Sequence, residues 1–249
     1  MKAWNFKGSL CPLCPLCPPF AEMLKLRHGQ DDETIEVGID EAGRGSLWGP
    51  LYAAAVIWVP LEERQGATGD PLIKDSKKLS AKRRTALAAY IKDYALDWGV
   101  GSVSPQEIDK IGMTKANQLA FTRALEKLSI TPDRLLIDGC LSIYEAPWSM
   151  VEQVVEVAAD NTYVPVAAAS ILAKTEHDAW VENFCGLNDN IAERYDLLNN
   201  KGYGTAKHMA GIRKWGEDSQ HRKLFLRKLH AASAEAQAQG DSLLETRSV

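Results

Sequence analysis

Residues 34–59 read TIEVGIDEAGRGSLWGPLYAAAVIWV, and this stretch decides the fold. Apolar side chains alternate over residues 34–40, which predicts a β-strand. Residues 51–59 are almost continuously apolar, as expected of a central strand that is buried on both faces. The segment from Gly43 to Pro50 is predicted to join the two strands as a hairpin-like connection. We therefore expect two neighbouring strands at the centre of a sheet.

Helices and strands alternate further along the chain. Ser80 is predicted to cap a helix that runs to about Tyr94, and residues 96–103 follow as a strand. Residues 104–107, Ser-Pro-Gln-Glu, form a capping box with proline at the first helical position. The remaining predicted elements are a helix over 114–128, strands over 134–138 and 151–159, a helix over 167–184, and one or two basic helices over 205–230. This order predicts an α/β domain with a mixed sheet flanked by helices and with a helical C-terminal extension.

Length and composition exclude several classes of protein. The chain has 249 residues, 45% of them apolar and 25% charged, which suits one sizeable globular domain or two small ones. The net charge of −4 excludes a globally basic nucleic-acid binder but permits a local basic face. No apolar run could cross a membrane, and prolines interrupt the N-terminal segment where a signal peptide would need a continuous apolar core. We expect a cytoplasmic protein that does not bind membranes.

The N-terminal segment contains a Cys/Pro-rich motif, Cys-Pro-Leu-Cys-Pro-Leu-Cys-Pro-Pro, with cysteines at positions 11, 14 and 17. This spacing would suit zinc or an iron–sulfur cluster, but a fourth ligand at the usual spacing is missing and His28 is distant. A disordered leader over residues 1–32 is the favoured interpretation. Cys140 and Cys185 lie in apolar stretches and are predicted to be buried thiols.

Acidic residues end three of the predicted strands. They are Asp40 with Glu41, Asp138, and Asp160. Neighbouring strand ends form the usual ligand crevice of an α/β sheet, and four converging carboxylates repel one another unless cations neutralise them. Oxygen ligands favour Mg²⁺ or Mn²⁺ over zinc, and two such ions about 4 Å apart can clamp a phosphodiester. Each acid alone could be a solvated strand-end carboxylate, but the four together favour a metal site.

A tight turn follows the first two acids directly. Gly43 and Gly45 flank Arg44, so backbone N–H groups and a guanidinium can approach a phosphate or a sugar closely. Acids and an anion-binding turn within six residues indicate phosphodiester chemistry.

Residues 40–45, Asp-Glu-Ala-Gly-Arg-Gly, resemble the signature of ribonuclease HII, the type 2 ribonuclease H family. Four further motifs of that family follow in order within residues 35–230. They are DSKKL at 75–79, LIDG at 136–139, AASILAK at 168–174 and KGYGT at 201–205. The resemblance implies a ribonuclease H-like fold in which Asp40, Glu41, Asp138 and Asp160 are the catalytic metal ligands.

Asp160 is the position at which the sequence departs from the family. The family often has Lys-Gly-Asp where this chain has Ala158, Ala159 and Asp160. Asp178 is a rival for the fourth carboxylate, although a structural ion pair is its favoured role.

The resemblance also implies a substrate-binding set. It comprises Gly43, Arg44, Gly45, Ser76, Lys77, Lys174 and Tyr203. In this family the Gly-Arg-Gly turn contacts the ribonucleotide 2′-OH, which is the group that distinguishes RNA from DNA, and its flanking phosphate. Tyr203 would stack on the nucleotide after the ribose. Ser76 and Lys77 precede a helix N-terminus, where backbone donors can hold phosphate.

The implied function is endonucleolytic cleavage of the RNA strand of RNA–DNA hybrids, and of single ribonucleotides embedded in duplex DNA. Two metal ions, Mn²⁺ or Mg²⁺, would take part, leaving 5′-phosphate and 3′-hydroxyl ends. A ribonuclease HIII-like nuclease and a non-catalytic hybrid-binding module remain as alternatives. We expect a monomer.

Three functional parts follow the leader in this interpretation: a catalytic domain over residues 33–200, a basic substrate-binding part over 201–230, and a flexible tail over 231–249. The basic part contains eight lysines and arginines against two acids. Its aromatic residues Trp215 and Phe225 are predicted to pack into the core.

Overall fold

The computed structural model describes residues 24–29, 34–59, 73–74, 76–227 and 229. Its strands are β1 (Glu36–Ala42), β2 (Leu51–Ile57), β3 (Asp97–Val103), β4 (Arg134–Asp138) and β5 (Glu152–Glu156). They form one mixed sheet in the order β3-β2-β1-β4-β5. β2 is antiparallel to β1 and β3, whereas β1, β4 and β5 run parallel to one another.

The helices surround this sheet and continue beyond it. They are α1 (Ala81–Tyr94), α2 (Pro105–Ile111), α3 (Met113–Leu125), α4 (Val164–Leu187), α5 (Asp189–Tyr195), α6 (Leu197–Asn200) and α7 (Ala206–Trp215). The predicted caps are confirmed: Ser80 accepts from the Arg83 amide, and Ser104 and Glu107 form the reciprocal capping box. The mixed α/β architecture is therefore as predicted, while α5 and α6 were not anticipated.

Strand β2, which lies inside the sheet between β3 and β1, separates two hydrophobic layers. Ala53 and Ala55 face a core that includes Phe121 of α3, whereas Ala54 and Val56 face the alanine-rich first half of α4. Because successive side chains of a strand point to opposite faces, a continuously apolar strand is needed between two helical layers. The prediction of a strand buried on both faces is confirmed.

Helix α4 packs unusually close to β1. A Cβ added at Gly38 would lie 2.2 Å from the carbonyl carbon of Pro165, so glycine is needed at this contact. The small side chains from Ala167 to Ala169 are all buried at the same layer. This close approach places Ser170 and the following turn of α4 beside the end of β1.

The predicted strand over 151–159 ends early. β5 stops at Glu156, Ala158 has a left-handed φ of 60°, and residues Ala159–Asn161 form a short 3-10 helix. The expectation that Asp160 ends a strand is therefore wrong, because the chain turns sharply before reaching it.

Part of the predicted leader belongs to the fold. Lys25 pairs with Tyr163 in a parallel bridge, with the Lys25 amide donating to the Thr162 carbonyl at 2.8 Å. His28 Nδ1 lies 2.9 Å from the Tyr163 hydroxyl. Residues 24–29 are thus not a disordered leader, whereas the cysteines at 11, 14 and 17 and the tail over 231–249 lie outside the described residues.

The C-terminal part packs against the second half of α4 around Trp48. The buried residues of the resulting hydrophobic cluster include Val181 of α4 and, from the C-terminal part, Tyr195, Leu197, Ile212 and Leu226. Trp215 was expected in the core but is 51% exposed, with the Lys214 ammonium 4.5 Å from its ring centroid.

Cys185 is buried as predicted, whereas Cys140 is exposed. Among the described residues, no helix combines the length and apolar character needed to cross a bilayer.

Candidate active site

Two acidic strand ends lie side by side at one edge of the sheet. β1 and β4 are parallel neighbours, and Ile39 is in register with Ile137. Asp40 and Asp138, the next residue on each strand, therefore emerge at the same edge. Glu41 follows Asp40 and is also close enough to Asp138 for the two carboxylates to repel each other.

The electrostatics of these acids reflect burial and mutual repulsion. Burial, followed by the charges of Glu41 and Asp138, raises the pKa of Asp40 well above its ordinary value. Hydrogen bonding from Ser170 and from the Glu41 amide opposes this shift without cancelling it. Burial also raises the pKa of Glu41, while nearby Arg44 lowers it. Burial and mutual repulsion therefore both disfavour the charged forms of Asp40 and Glu41.

The segment after β5 brings Asp160 to the same region. The Ala159 amide donates to Asp138 Oδ1 at 2.8 Å, which fixes the start of the 3-10 helix to the end of β4. Asp160 is buried and accepts from Asn161 Nδ2, and the exposed Lys77 ammonium lies 3.9 Å from its Oδ2.

Ser76 connects the loop before α1 to the acids. Its hydroxyl lies 2.9 Å from the Ser170 hydroxyl on α4, and Ser170 in turn hydrogen-bonds to Asp40. Both serines are buried. The structure thus brings Ser76 and Lys77 to the acidic edge, while Asp75 of the same motif lies outside the described residues.

The Gly-Arg-Gly turn begins directly after β1. Gly43 has a φ of 83°, and a Cβ there would lie 2.5 Å from the His177 ring, so the position requires glycine. The Arg44 guanidinium lies 3.5 Å from Glu41 Oε1, which joins the turn to the acids.

Tyr203 lies against this turn, far away in sequence. Ser46 pairs with Tyr203 in an antiparallel bridge, and the Leu47 amide donates to the Gly202 carbonyl at 2.8 Å. A Cβ at Gly45 would be 4.0 Å from the Tyr203 ring, so the ring and the turn share one surface.

Lys174 and Asp178 form a separate group at the side of this surface. The Lys174 ammonium donates to Asp178 Oδ1 at 2.8 Å and lies 5.2 Å from the centroid of the Tyr203 ring. Asp178 also binds Arg84 at 3.3 Å and His177 at 3.1 Å. Burial alone would raise the pKa of Asp178, but hydrogen bonds from His177 and Lys174 outweigh it and hold that pKa at about 2. The rival for the fourth carboxylate is thus engaged in ion pairs.

The acids share an edge without forming a ready-made coordination shell. Within the described ranges, no three His, Cys, Asp or Glu side chains are grouped closely enough to hold a metal ion. The donor chemistry nevertheless suits a hard cation, since the clustered groups are carboxylates, and burial followed by the charges of Glu41 and Asp138 raises the pKa of Asp40.

Sequence reasoning missed two buried polar residues at this site. Asn117 of α3 is close enough to Glu41 to lower the pKa of that carboxyl, although its buried amide group has no hydrogen-bond partner within 3.5 Å. Its signal was a polar residue on the apolar face of a helix. Arg222 lies buried beneath the Gly-Arg-Gly turn, and only the tertiary structure reveals this.

A mixed five-stranded sheet flanked by helices, with carboxylates at one edge beside a Gly-Arg-Gly turn, defines a ribonuclease H-like nuclease. The family model described as Ribonuclease HII matches residues 37–230. The chain belongs to the ribonuclease HII family, whose members are metal-dependent endonucleases that act on RNA–DNA hybrids.

Individual relatives agree with this assignment. Ribonuclease HII of Porphyromonas gingivalis is 43% identical over 195 residues, which cover 78% of this chain and 90% of the relative. The crystal structure of ribonuclease H2 from Pyrococcus horikoshii is 26% identical with a TM-score of 0.61, covering 79% of this chain and 97% of the other. Bst-RNase HIII in complex with Mn²⁺ is 25% identical with a TM-score of 0.53, and the match covers 74% of this chain but only 63% of that one.

Proposed function

We propose that Asp40, Glu41, Asp138 and Asp160 bind Mn²⁺ or Mg²⁺ and that the chain cleaves both RNA–DNA hybrids and single ribonucleotides embedded in duplex DNA. The observation that carries the proposal is the Glu41–Arg44 contact of 3.5 Å, which joins the acidic edge to the Gly-Arg-Gly turn. Cleavage and recognition of the ribose would thus take place on one continuous surface. The products would carry 5′-phosphate and 3′-hydroxyl ends.

The acidic edge supports the choice of metal. A bound divalent cation would polarise water and neutralise charge at the scissile phosphodiester. The solved ribonuclease HIII relative contains Mn²⁺, and the carboxylate donors of this chain also suit Mg²⁺. Asp160 is proposed over Asp178 because the Asp138–Ala159 hydrogen bond anchors its segment at this edge.

The neighbouring surface supports recognition of the ribonucleotide. The turn from Gly43 to Gly45 offers backbone donors and a half-exposed guanidinium to a 2′-OH and its phosphate. The Tyr203 ring beside Gly45 would stack on the adjoining nucleotide. Lys174 supports that ring from its cation–π position, and Ser76 and Lys77 would hold a further phosphate at the acidic edge.

The two alternatives are less well supported. The chain covers only 63% of the solved ribonuclease HIII chain but 97% of the ribonuclease H2 chain. A binding module without activity would not need all four acids, and all four are present. The monomeric state and cytoplasmic location stay predictions.

The test is incubation of the protein with a DNA duplex that contains one ribonucleotide, in Mg²⁺, Mn²⁺ or EDTA. We expect a single nick at the ribonucleotide with either metal and none in EDTA, with a 3′-hydroxyl that a polymerase can extend. Binding without cleavage in both metals would instead favour the non-catalytic module. Cleavage of hybrids but not of the single ribonucleotide would favour a ribonuclease HIII-like specificity.

A further inference from the structure

Arg222 is a fully buried arginine beneath the Gly-Arg-Gly turn. Its Nη1 donates to the carbonyls of Gly43 at 2.7 Å and Arg44 at 3.2 Å, and its Nε donates to that of Gly49 at 2.9 Å. Among the described residues, no carboxylate lies within ion-pair distance of it. Burying a charge without an ion-paired partner is costly, and the charge of Asp109 only partly opposes the lowering of the Arg222 pKa by burial. The three carbonyls, with the Phe225 ring 5.8 Å from the guanidinium, are therefore its close partners.

The contacts of Arg222 orient the amides of the turn. In a trans peptide the C=O of one residue and the N–H of the next point in opposite directions. Because Arg222 draws the Gly43 and Arg44 carbonyls inward, the N–H groups of Arg44 and Gly45 point away from the interior. Neither amide has a hydrogen-bond partner within the described part of the chain, so both are available to a ligand.

The preceding residue, His221, reaches the Tyr203 turn through a second histidine. His208 Nδ1 lies 3.0 Å from the Tyr203 carbonyl, and His208 Nε2 lies 3.1 Å from His221 Nε2. Since a carbonyl only accepts, His208 donates from Nδ1 and its Nε2 accepts the proton of His221 Nε2. His221 Nδ1 lies 3.0 Å from the Asp218 amide nitrogen and 3.1 Å from Asp218 Oδ1, so the histidine pair is anchored to residue 218.

Backbone and side-chain hydrogen bonds attach the same segment, residues 218–222, to the connection after the Gly-Arg-Gly turn. The Arg222 amide donates to Leu47 at 2.8 Å, and the Gly49 amide donates to Gln220 at 2.9 Å. The Trp48 indole N–H donates to Asp218 Oδ1 at 2.9 Å. Residues 218–222 therefore contact the Gly43–Gly45 turn directly and reach the Tyr203 turn through His208.

We propose that His221 and Arg222 are positioning residues that fix the Gly43–Gly45 turn and the Tyr203 turn relative to each other for ribonucleotide recognition. The inference rests on the proposed function of those two turns. Neither residue touches the substrate. Arg222 sets the direction of the two free amides, and His221 fixes the backbone under the stacking ring.

The test compares Arg222→Met, which removes the donors, and Arg222→Lys, which keeps a cation but cannot reach three carbonyls in the same geometry. Arg123→Met is the control for the loss of an arginine away from both turns. Arg123 also donates to a backbone carbonyl, that of Ser102, and to Glu107, but it lies on α3 and contacts neither turn. Arg44→Ala tests the guanidinium of the Gly-Arg-Gly turn while leaving its backbone amides in place.

Two kinds of measurement are made on the full chain. The first is hydrogen exchange of peptides covering residues 43–49 and 200–205 in the free protein. The second is kcat/KM on a duplex with one ribonucleotide, beside the affinity for the same duplex made only of DNA. We expect both Arg222 variants to exchange faster over residues 43–49 and to lose kcat/KM by between about tenfold and a hundredfold, with the affinity for all-DNA duplex unchanged.

Three outcomes would overturn the inference. One is unchanged exchange and kcat/KM in both Arg222 variants, and another is a loss no larger than that of Arg123→Met. The third is faster exchange across the whole chain in both variants, which would make Arg222 a general scaffold residue. Unchanged kcat/KM in Arg44→Ala is a different result, because it removes the proposed role of the guanidinium but leaves the two backbone amides, which alanine at position 44 retains.

Discussion

The backbone amide of Ala159 donates to Oδ1 of Asp138 at 2.8 Å. This single bond links the end of β4 to the 3-10 helix that carries Asp160. The left-handed Ala158, with a φ of 60°, makes the turn that allows it. Asp138 and Asp160 are therefore placed together by a left-handed turn and one hydrogen bond rather than by neighbouring strand ends.

Asp40→Asn and Asp138→Asn are expected to abolish cleavage while binding of hybrid persists. Asparagine keeps the shape and one acceptor oxygen, so Asp138→Asn can still accept from the Ala159 amide, but it removes the charge that a cation requires. The expected loss is at least about a thousandfold, as for removal of a transition-state stabilising group. Single-turnover cleavage and hybrid binding, measured in parallel, check this.

Asp97→Asn is the control for both variants. Asp97 also accepts backbone amides, those of Ser129 and Ile130, but it lies at the start of β3, at the opposite edge of the sheet. Its cleavage rate is expected to equal that of the unmodified chain. Substantial activity in either Asp40→Asn or Asp138→Asn would contradict the proposed mechanism.

Asp160→Asn and Asp178→Asn are expected to act differently. Asp160→Asn should lose cleavage and reduce the rise in melting temperature that Mn²⁺ produces, because a ligand that binds only the native state stabilises it. Asp178→Asn should keep its cleavage activity and its rise in melting temperature with Mn²⁺, and should lose folding stability instead. The opposite pattern would identify Asp178 as the fourth carboxylate, and thermal unfolding with and without Mn²⁺ decides between them.

Asp178 also predicts a pH dependence of stability. Its pKa in the folded state is about 2, below the ordinary value of an aspartate, so its contribution is complete above about pH 4 and is lost as the pH falls toward 2. The contribution at pH 7 is on the order of 2 kcal/mol. Urea unfolding at pH 7 and pH 3 should show a smaller pH effect in Asp178→Asn, and an equal effect in both proteins would contradict the assignment.

Arg44→Ala and Tyr203→Ala are expected to reduce the preference for a ribonucleotide at an RNA–DNA junction more than they reduce folding stability. Arg44 is half-exposed, and Tyr203 lies in a surface turn, so neither contributes much to the core. Cleavage of junction and all-RNA hybrids should be compared with melting temperature. Tyr94→Ala, at the end of α1, is the aromatic control, and a junction preference unchanged in both site variants would reject the proposed recognition surface.

Gly38→Ala and Gly186→Ala should shift stability in opposite directions. A Cβ at Gly38 would lie 2.2 Å from the backbone of Pro165, which cannot move without separating α4 from β1. The expected loss is about 2–3 kcal/mol, as for other overpacked cores. Gly186 lies in α4 with open space around it, so alanine there should stabilise by about 0.5 kcal/mol. Urea unfolding of both variants checks the pair, and a neutral Gly38→Ala would contradict the close packing.

Local patterns predicted most of the elements. The strand over 134–138 and the capping box at Ser104 are as expected, because each depends on a few adjacent residues whose preferences agree with the fold. The strand over 151–159 was predicted too long because nothing local marks the left-handed turn at Ala158. Trp215 was placed in the core from its helical position, yet it remains half-exposed beside Lys214.

The sequence by itself determined the mixed α/β class, the first two acids and the adjoining Gly-Arg-Gly turn, since these depend on periodicity and on residues that are neighbours in the chain. Only the tertiary structure decided how Asp138 and the Asp160 segment come together. It also decided that Tyr203, His221 and Arg222 lie beneath or beside the Gly43–Gly45 turn, which is far earlier in the chain. The physical reason is that contacts across long loops depend on the whole fold, whereas strands, caps and turns depend on adjacent residues.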